Sequence, residues 1–154
     1  MFTSIIAKPA SDDFGVATVV EYALLLAVGL AAFLALFLAC SAFSANARTD
    51  AESLAAYSIA GSISASVAEA SGDGSTSVTM ALDLPDEACG IPYVAYPSPD
   101  QKFICVSLAG RNSAAQRAPL LLRVAGVRVG GFIVSPPGRH LVRYDAVDRT
   151  VMVT

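Results

Sequence analysis

The chain has 154 residues, of which 55% are apolar and only 15% charged, against roughly 25% charged in an average soluble domain. The formal net charge is −3, and no Lys/Arg cluster exists that would follow a phosphate backbone, so nucleic acid is excluded as an expected partner. The apolar excess is concentrated near the N-terminus, which leaves roughly 80 residues after Ala70 for one small domain with a thin core.

From Tyr22 to Ala47 the sequence YALLLAVGLAAFLALFLACSAFSANA carries no charged side chain. At a rise of 1.5 Å per residue, about 20 residues cross a hydrocarbon layer of roughly 30 Å, so the run spans it with margin for tilt. A cleaved secretory signal has an apolar core of only roughly 7–15 residues. A chain of this length also has no core able to surround a helix that is apolar on every side. The run therefore predicts a single transmembrane helix, with the lipid bilayer as its partner. Lys8 precedes it and Arg48 follows it, so the positive-inside rule leaves the orientation open. Gly29, Ala32, Ala35 and Ala39 recur at i, i+3, i+6 and i+10, which permits close helix–helix approach in lipid but also arises by chance in alanine-rich helices.

Upstream, the polar stretch Ser11-Asp12-Asp13-Phe14-Gly15 gives way to Val16 and a few small or β-branched residues, and Glu21-Tyr22 then opens the apolar run. Here the chain resembles archaeal type IV pilin-like membrane proteins that carry a class III signal peptide. A glutamate near the fifth mature position, often followed by Tyr or Phe, is typical of that family. Cleavage after Gly15 makes Val16 the first mature residue and Glu21 the sixth, whereas cleavage after Val16 makes Glu21 the fifth. The leader ends in Asp12 and Asp13 rather than a basic pair. The resemblance implies a cytoplasmic leader over residues 1–15, removed by a prepilin peptidase. It also implies a helix that holds the subunit in the cell membrane and then packs with sibling pilin-like subunits, and a C-terminal domain outside the cell. A carboxylate in hydrocarbon costs several kcal/mol unless it is paired or reaches water. Glu21 is thus either solvated near the aqueous face or, as the resemblance implies, neutralises a neighbouring subunit's new amino terminus during assembly.

Beyond Ala47 no Pro breaks the chain and Ala is abundant, so the helix is expected to continue to Ala70, although Thr49 and Glu52 have capping-box spacing. Leu54, Ile59, Ile63 and Val67, with Ala between, suggest an apolar stripe that packs on the chain's own sheet or on sibling helices. Residues 16–70 are accordingly read as a transmembrane helix with an extracytoplasmic extension, and 71–154 as a β-rich extracytoplasmic domain. The turn cluster Ser71-Gly72-Asp73-Gly74-Ser75 ends the helix. Ser77–Leu84, Tyr93–Tyr96 and a central strand over Phe103–Leu108 follow. An extended region over Leu120–Val129 and Phe132–Val134 comes next, with Gly130-Gly131 marking a bulge or bend. Pro136-Pro137-Gly138 is a strong turn, and His140–Tyr144 with Thr150–Val153 reads as a final hairpin. The expected fold class is α+β: a long N-terminal transmembrane helix followed by a small antiparallel β-sheet domain. The order of helix, Leu82-Asp83-Leu84-Pro85, Gly90-Ile91-Pro92-Tyr93 and a closing hairpin over 138–145 also looks like the small pilin-like proteins named above.

No catalytic set is expected. His140 is the sole histidine, and Ser135, Asp145 and Asp148 are near it only in sequence, which does not make a triad. Gly130-Gly131 lacks phosphate-loop spacing, and Asp83, Asp86 and Glu87 are too few for a calcium loop. Arg123 and Arg128 read as the solvated face of a strand. Of the 3 cysteines, Cys40 lies in the apolar run as a small packing residue. Cys89 and Cys105 either pair in an oxidising compartment, closing a loop worth about 3 kcal/mol, or remain two buried free thiols. Too few ligands are present for a metal site, and no cofactor is expected.

Overall fold

The computed structural model describes residues 12–72, 74–111, 115–122, 124–135 and 138–154, with side chains described from residue 15 onward. The leader up to residue 11, Asp73, Arg123 and Pro136-Pro137 lie outside these. Among the described residues one helix, α1 (Asp12–Ser71), is followed by eight strands. By its internal packing the chain divides into Met1–Ala47 and Arg48–Thr154.

In the first unit the described residues are helical from Asp12 onward, and every side chain from Gly15 to Ala47 is exposed. Leucine, valine and phenylalanine point outward all round the cylinder, Leu26, Leu30, Phe33, Leu34, Phe37 and Leu38 among them. This helix is long and apolar enough to cross a membrane, and none of its most apolar stretch is buried within the chain. Covering a large apolar side chain is worth about 1.5–3 kcal/mol. The dozen large apolar side chains of the run therefore represent on the order of 20 kcal/mol that water cannot supply.

The second unit is built on the C-terminal part of α1. Ala56, Ile59, Ala60, Ile63, Val67 and Ala70 are buried at spacings of three and four, one face of a 3.6-residue helix. Leu54, expected on that face, is 69% exposed. At about 100° per residue it stands roughly 140° round the helix from Ile59, and Glu52 and Ala56 occupy the buried line instead. The helix ends where Gly72 adopts a φ of +42° and donates its N–H to Glu69 O at 3.1 Å, a left-handed cap that glycine accepts without a Cβ clash.

The strands are β1 (Val78–Leu82), β2 (Tyr93–Pro97), β3 (Phe103–Leu108), β4 (Gln116–Pro119), β5 (Arg128–Gly131), β6 (Ile133–Val134), β7 (His140–Asp145) and β8 (Thr150–Val153). They form two four-stranded sheets, in the orders β1-β7-β8-β5 and β4-β3-β2-β6. All pairings are antiparallel except β5 with β8. The architecture is thus α+β, with two small, mostly antiparallel sheets, and β3 is an interior strand as its compact β-branched sequence implies. Alternation along the strands sends Val142, Tyr144, Val151 and Val153 from one sheet, and Tyr93, Ala95, Ile104 and Val106 from the other, into one core with the helical stripe. Side-chain hydrogen bonds between distant segments help hold this core together. Ser64 Oγ donates to Pro119 O at 2.6 Å, Tyr93 OH to Pro85 O at 2.8 Å, and Tyr144 OH to Gly74 O at 3.2 Å.

Two stretches differ from the sequence reading. Residues 120–127 contain no strand among those described; pairing occurs on either side, in β4 and β5. Gln116-Arg117-Ala118-Pro119 is polar and ends in proline, so it has none of the apolar alternation of a half-buried strand, yet as an edge strand it needs partners on one side only. The bend expected at Gly130-Gly131 is where the chain leaves one sheet for the other. Gly131, the last residue of β5, takes a φ of +91°, and β6 after it belongs to the other sheet.

Candidate functional site

Gly15 and Val16, the candidate leader junction, lie inside α1 and are exposed. Glu21 and Tyr22 follow on the same helix, also exposed, and Glu21 makes no ion pair among the described residues. Nothing in the first unit covers these four residues, so the helix offers them to whatever surrounds it. Cys89 and Cys105 are separate thiols. Cys105 is buried on β3, between its cross-strand partners Tyr96 and Arg117. Cys89 is exposed in the tight turn bridged by Ala88 and Ile91, with a φ of +54° and its Sγ directed at Ala51 O, 3.6 Å away.

Two of the residues weighed for catalysis have local structural partners. Ser135 is buried and its Oγ donates to Asp86 O. Asp145 Oδ1 accepts Val147 N–H at 2.9 Å and Asp148 N–H at 3.4 Å, closing the β7–β8 turn. His140 is half-buried at the start of β7, opposite Leu82. Among the described residues no group of three His, Cys, Asp or Glu side chains could hold a metal ion.

The most organised polar cluster of the second unit is one that the sequence reading passed over. Glu52 is only 5% exposed, although it is a carboxylate on the apolar line of α1. Arg111, just beyond the end of β3, donates through Nη2 to Glu52 Oε1 at 2.6 Å. Arg48, one helical turn earlier, donates through Nε to the same oxygen at 3.0 Å. Burying one charge without a partner costs several kcal/mol, so the pairing is what permits this carboxylate to sit on the core line. Around it opens a cavity of about 250 Å³ lined by Thr49, Glu52, Ser53, Val106, Leu108, Arg111 and Gln116. The signal was present in the sequence: Glu52 precedes Ala56 by four residues and Ile59 by seven, which places it on the packed face.

Burial raises the Glu52 pKa, but the hydrogen bonds and charges of Arg111 and Arg48 outweigh it and hold the group below the ordinary 4.5. The Ser98 hydroxyl likewise lowers Asp100 below 3.8 despite some burial. A carboxylate whose folded pKa is depressed stabilises the fold above its unfolded pKa, and that stability is lost as pH falls through the folded value. The melting temperature of the β-domain should therefore drop as pH is lowered from about 5 towards 3. In Glu52→Gln the drop should be shallower, so that the gap between the two proteins narrows with acidification; thermal unfolding followed across that range checks it.

Comparison with protein-family models, with curated proteins and with solved structures gives no match.

Proposed function

We propose that the chain is a pilin-like structural subunit, anchored in the cell membrane by α1 and displaying its β-domain outside the cell. The observation that supports this reading is the uncovered apolar helix over Tyr22–Ala47, introduced by Glu21-Tyr22 and preceded by a glycine junction. One such helix ahead of a β-domain fits a single-pass anchored protein, and the polymerising role rests on the junction. On this reading the leader of residues 1–15 stays cytoplasmic until a prepilin peptidase cuts at Gly15 or Val16. Glu21 then meets the new amino terminus of a sibling subunit, and the work done is mechanical rather than enzymatic. A second reading is favoured by the cavity beside Glu52: a non-polymerising anchored protein whose β-domain binds a partner or ligand.

The two readings part at the N-terminus, because an uncut polar leader would obstruct helix bundling in a filament core. The intact mass of the chain recovered from membranes tests this. A first residue of Val16 or Ala17 is the expected result; a chain still beginning at Met1 transfers the assignment to the permanent anchor.

A further inference from the structure

The cavity beside Glu52 has the chemistry of an anion site. Two guanidinium groups face one carboxylate, which leaves the cluster one positive charge in excess. Arg48 and Arg111 each give a single N–H to Glu52, and their side chains remain 70% and 43% exposed. A guanidinium has five N–H donors in a fixed fork that matches phosphate oxygens. Arg111 lines the cavity together with hydroxyl and amide groups from Thr49, Ser53 and Gln116 and an apolar wall from Val106 and Leu108, while Arg48 stands outside that lining and adds its charge through Glu52. A positive polar rim beside an apolar wall suits a phosphate ester that carries hydrocarbon.

The place of the cavity in the sequence narrows the source. Arg48 is the first residue after the charge-free run, and the helical wall, Thr49 to Ser53, follows it directly. A helix that leaves hydrocarbon near Ala47 carries these residues among lipid headgroups. We propose that Arg111, held by Glu52 and with the charge of Arg48 beside it, binds the phosphate of an anionic lipid headgroup, whose glycerol end lies against Val106 and Leu108. The lipid source rests on the anchored reading above; the phosphate chemistry does not. Glu52 acts here as a positioning residue: it orients both guanidinium groups and subtracts one charge from the site.

The test uses the full chain in a non-ionic detergent, with phosphatidylglycerol titrated in and bound lipid counted by native mass spectrometry. Arg111→Gln should need about tenfold more lipid for half occupancy, a bidentate charge-assisted contact being lost. Glu52→Gln keeps an Oε1 acceptor that can hold both guanidinium groups while removing the opposing negative charge, so it should bind at least as tightly as the parent. Should Arg111→Gln fail to fold, Arg48→Gln, whose side chain is largely exposed, removes the neighbouring positive charge and should weaken binding in the same direction. Retention of phosphatidylglycerol no better than that of uncharged diacylglycerol, or no loss in the arginine variants, overturns the proposal. Glycerol phosphate added as competitor separates the sources. Displacement at matched concentration assigns the site to soluble phosphate esters, and persistence of the lipid assigns it to the headgroup. None of these readouts depends on leader cleavage, so this proposal and the pilin-like assignment fail separately.

Discussion

Gly131→Ala is expected to abolish the β-domain fold or to lower its melting temperature by at least about 15 °C, from a loss of about 4 kcal/mol or more. Two independent penalties meet at this residue. Its φ of +91° lies where L side chains are strained. A Cβ there would stand 2.1 Å from Val153 O and 3.0 Å from Val153 C and N. These are backbone atoms fixed by the parallel pairing of Gly131 with Val153, so the clash cannot be relieved by a rotamer change. Gly130→Ala is the internal control. Its Cβ would meet only Met152, Sδ at 3.2 Å and Cε at 4.0 Å, the far part of a flexible side chain, and the cost should stay within about 1 kcal/mol. Near-ultraviolet circular dichroism reads both outcomes, because Tyr93 and Tyr144 are buried in this core and lose their fixed surroundings on unfolding.

The double variant Leu34→Asp with Leu38→Asp is expected to release the chain from carbonate-washed membranes while leaving the tyrosine signal of the β-domain intact. Each acidic residue at the centre of a membrane helix costs about 2.5–3.5 kcal/mol, and each lost leucine removes a further few tenths. The pair therefore opposes insertion by about 6–8 kcal/mol. Sliding the helix offers no escape, since both positions fall within every window of about 20 residues that can be drawn inside Tyr22–Ala47. The side chains concerned are exposed, so the substitution removes no buried packing. Recovery of the double variant in the membrane fraction at the level of the parent would show that something other than this segment holds the chain there.

The parts of the fold that were readable in advance are those where a single physical pattern decides the outcome. A long charge-free run without proline is helix in any setting, and it continues to Ser71 because alanine costs nothing and Gly72 supplies the cap. Phe103–Leu108 is largely apolar on both faces, with Ile104, Val106 and Leu108 on one and Phe103 and Cys105 on the other, as suits the interior strand β3, and the β7–β8 hairpin is set by alternation around a polar turn. What escaped was tertiary in origin. The strand β4 has no apolar face to announce it and exists because β3 needs a partner. The parallel pairing of β5 with β8 depends on Gly131 accepting a backbone oxygen where other residues carry Cβ, a requirement that a glycine pair signals only as a bend. Residue type suggests Leu54 for the stripe although its angle takes it away, and the capping-box spacing of Thr49 and Glu52 draws attention from the angle that puts Glu52 on the buried line. The pocket was illegible for a related reason. Arg111 reaches Glu52 from 59 positions away, and no local spacing records such a contact.

The central claim is that a membrane-spanning α1 displays the β-domain outside the cell, and the thiols provide its most direct test. Cys89 is exposed on the second unit, Cys105 is buried, and Cys40 lies within the apolar run. A membrane-impermeant maleimide applied to intact cells after a non-permeant reductant should label the chain at Cys89, and Cys89→Ser should remove that label. Labelling that appears only after the cells are permeabilised would place the β-domain on the inner side and contradict the account.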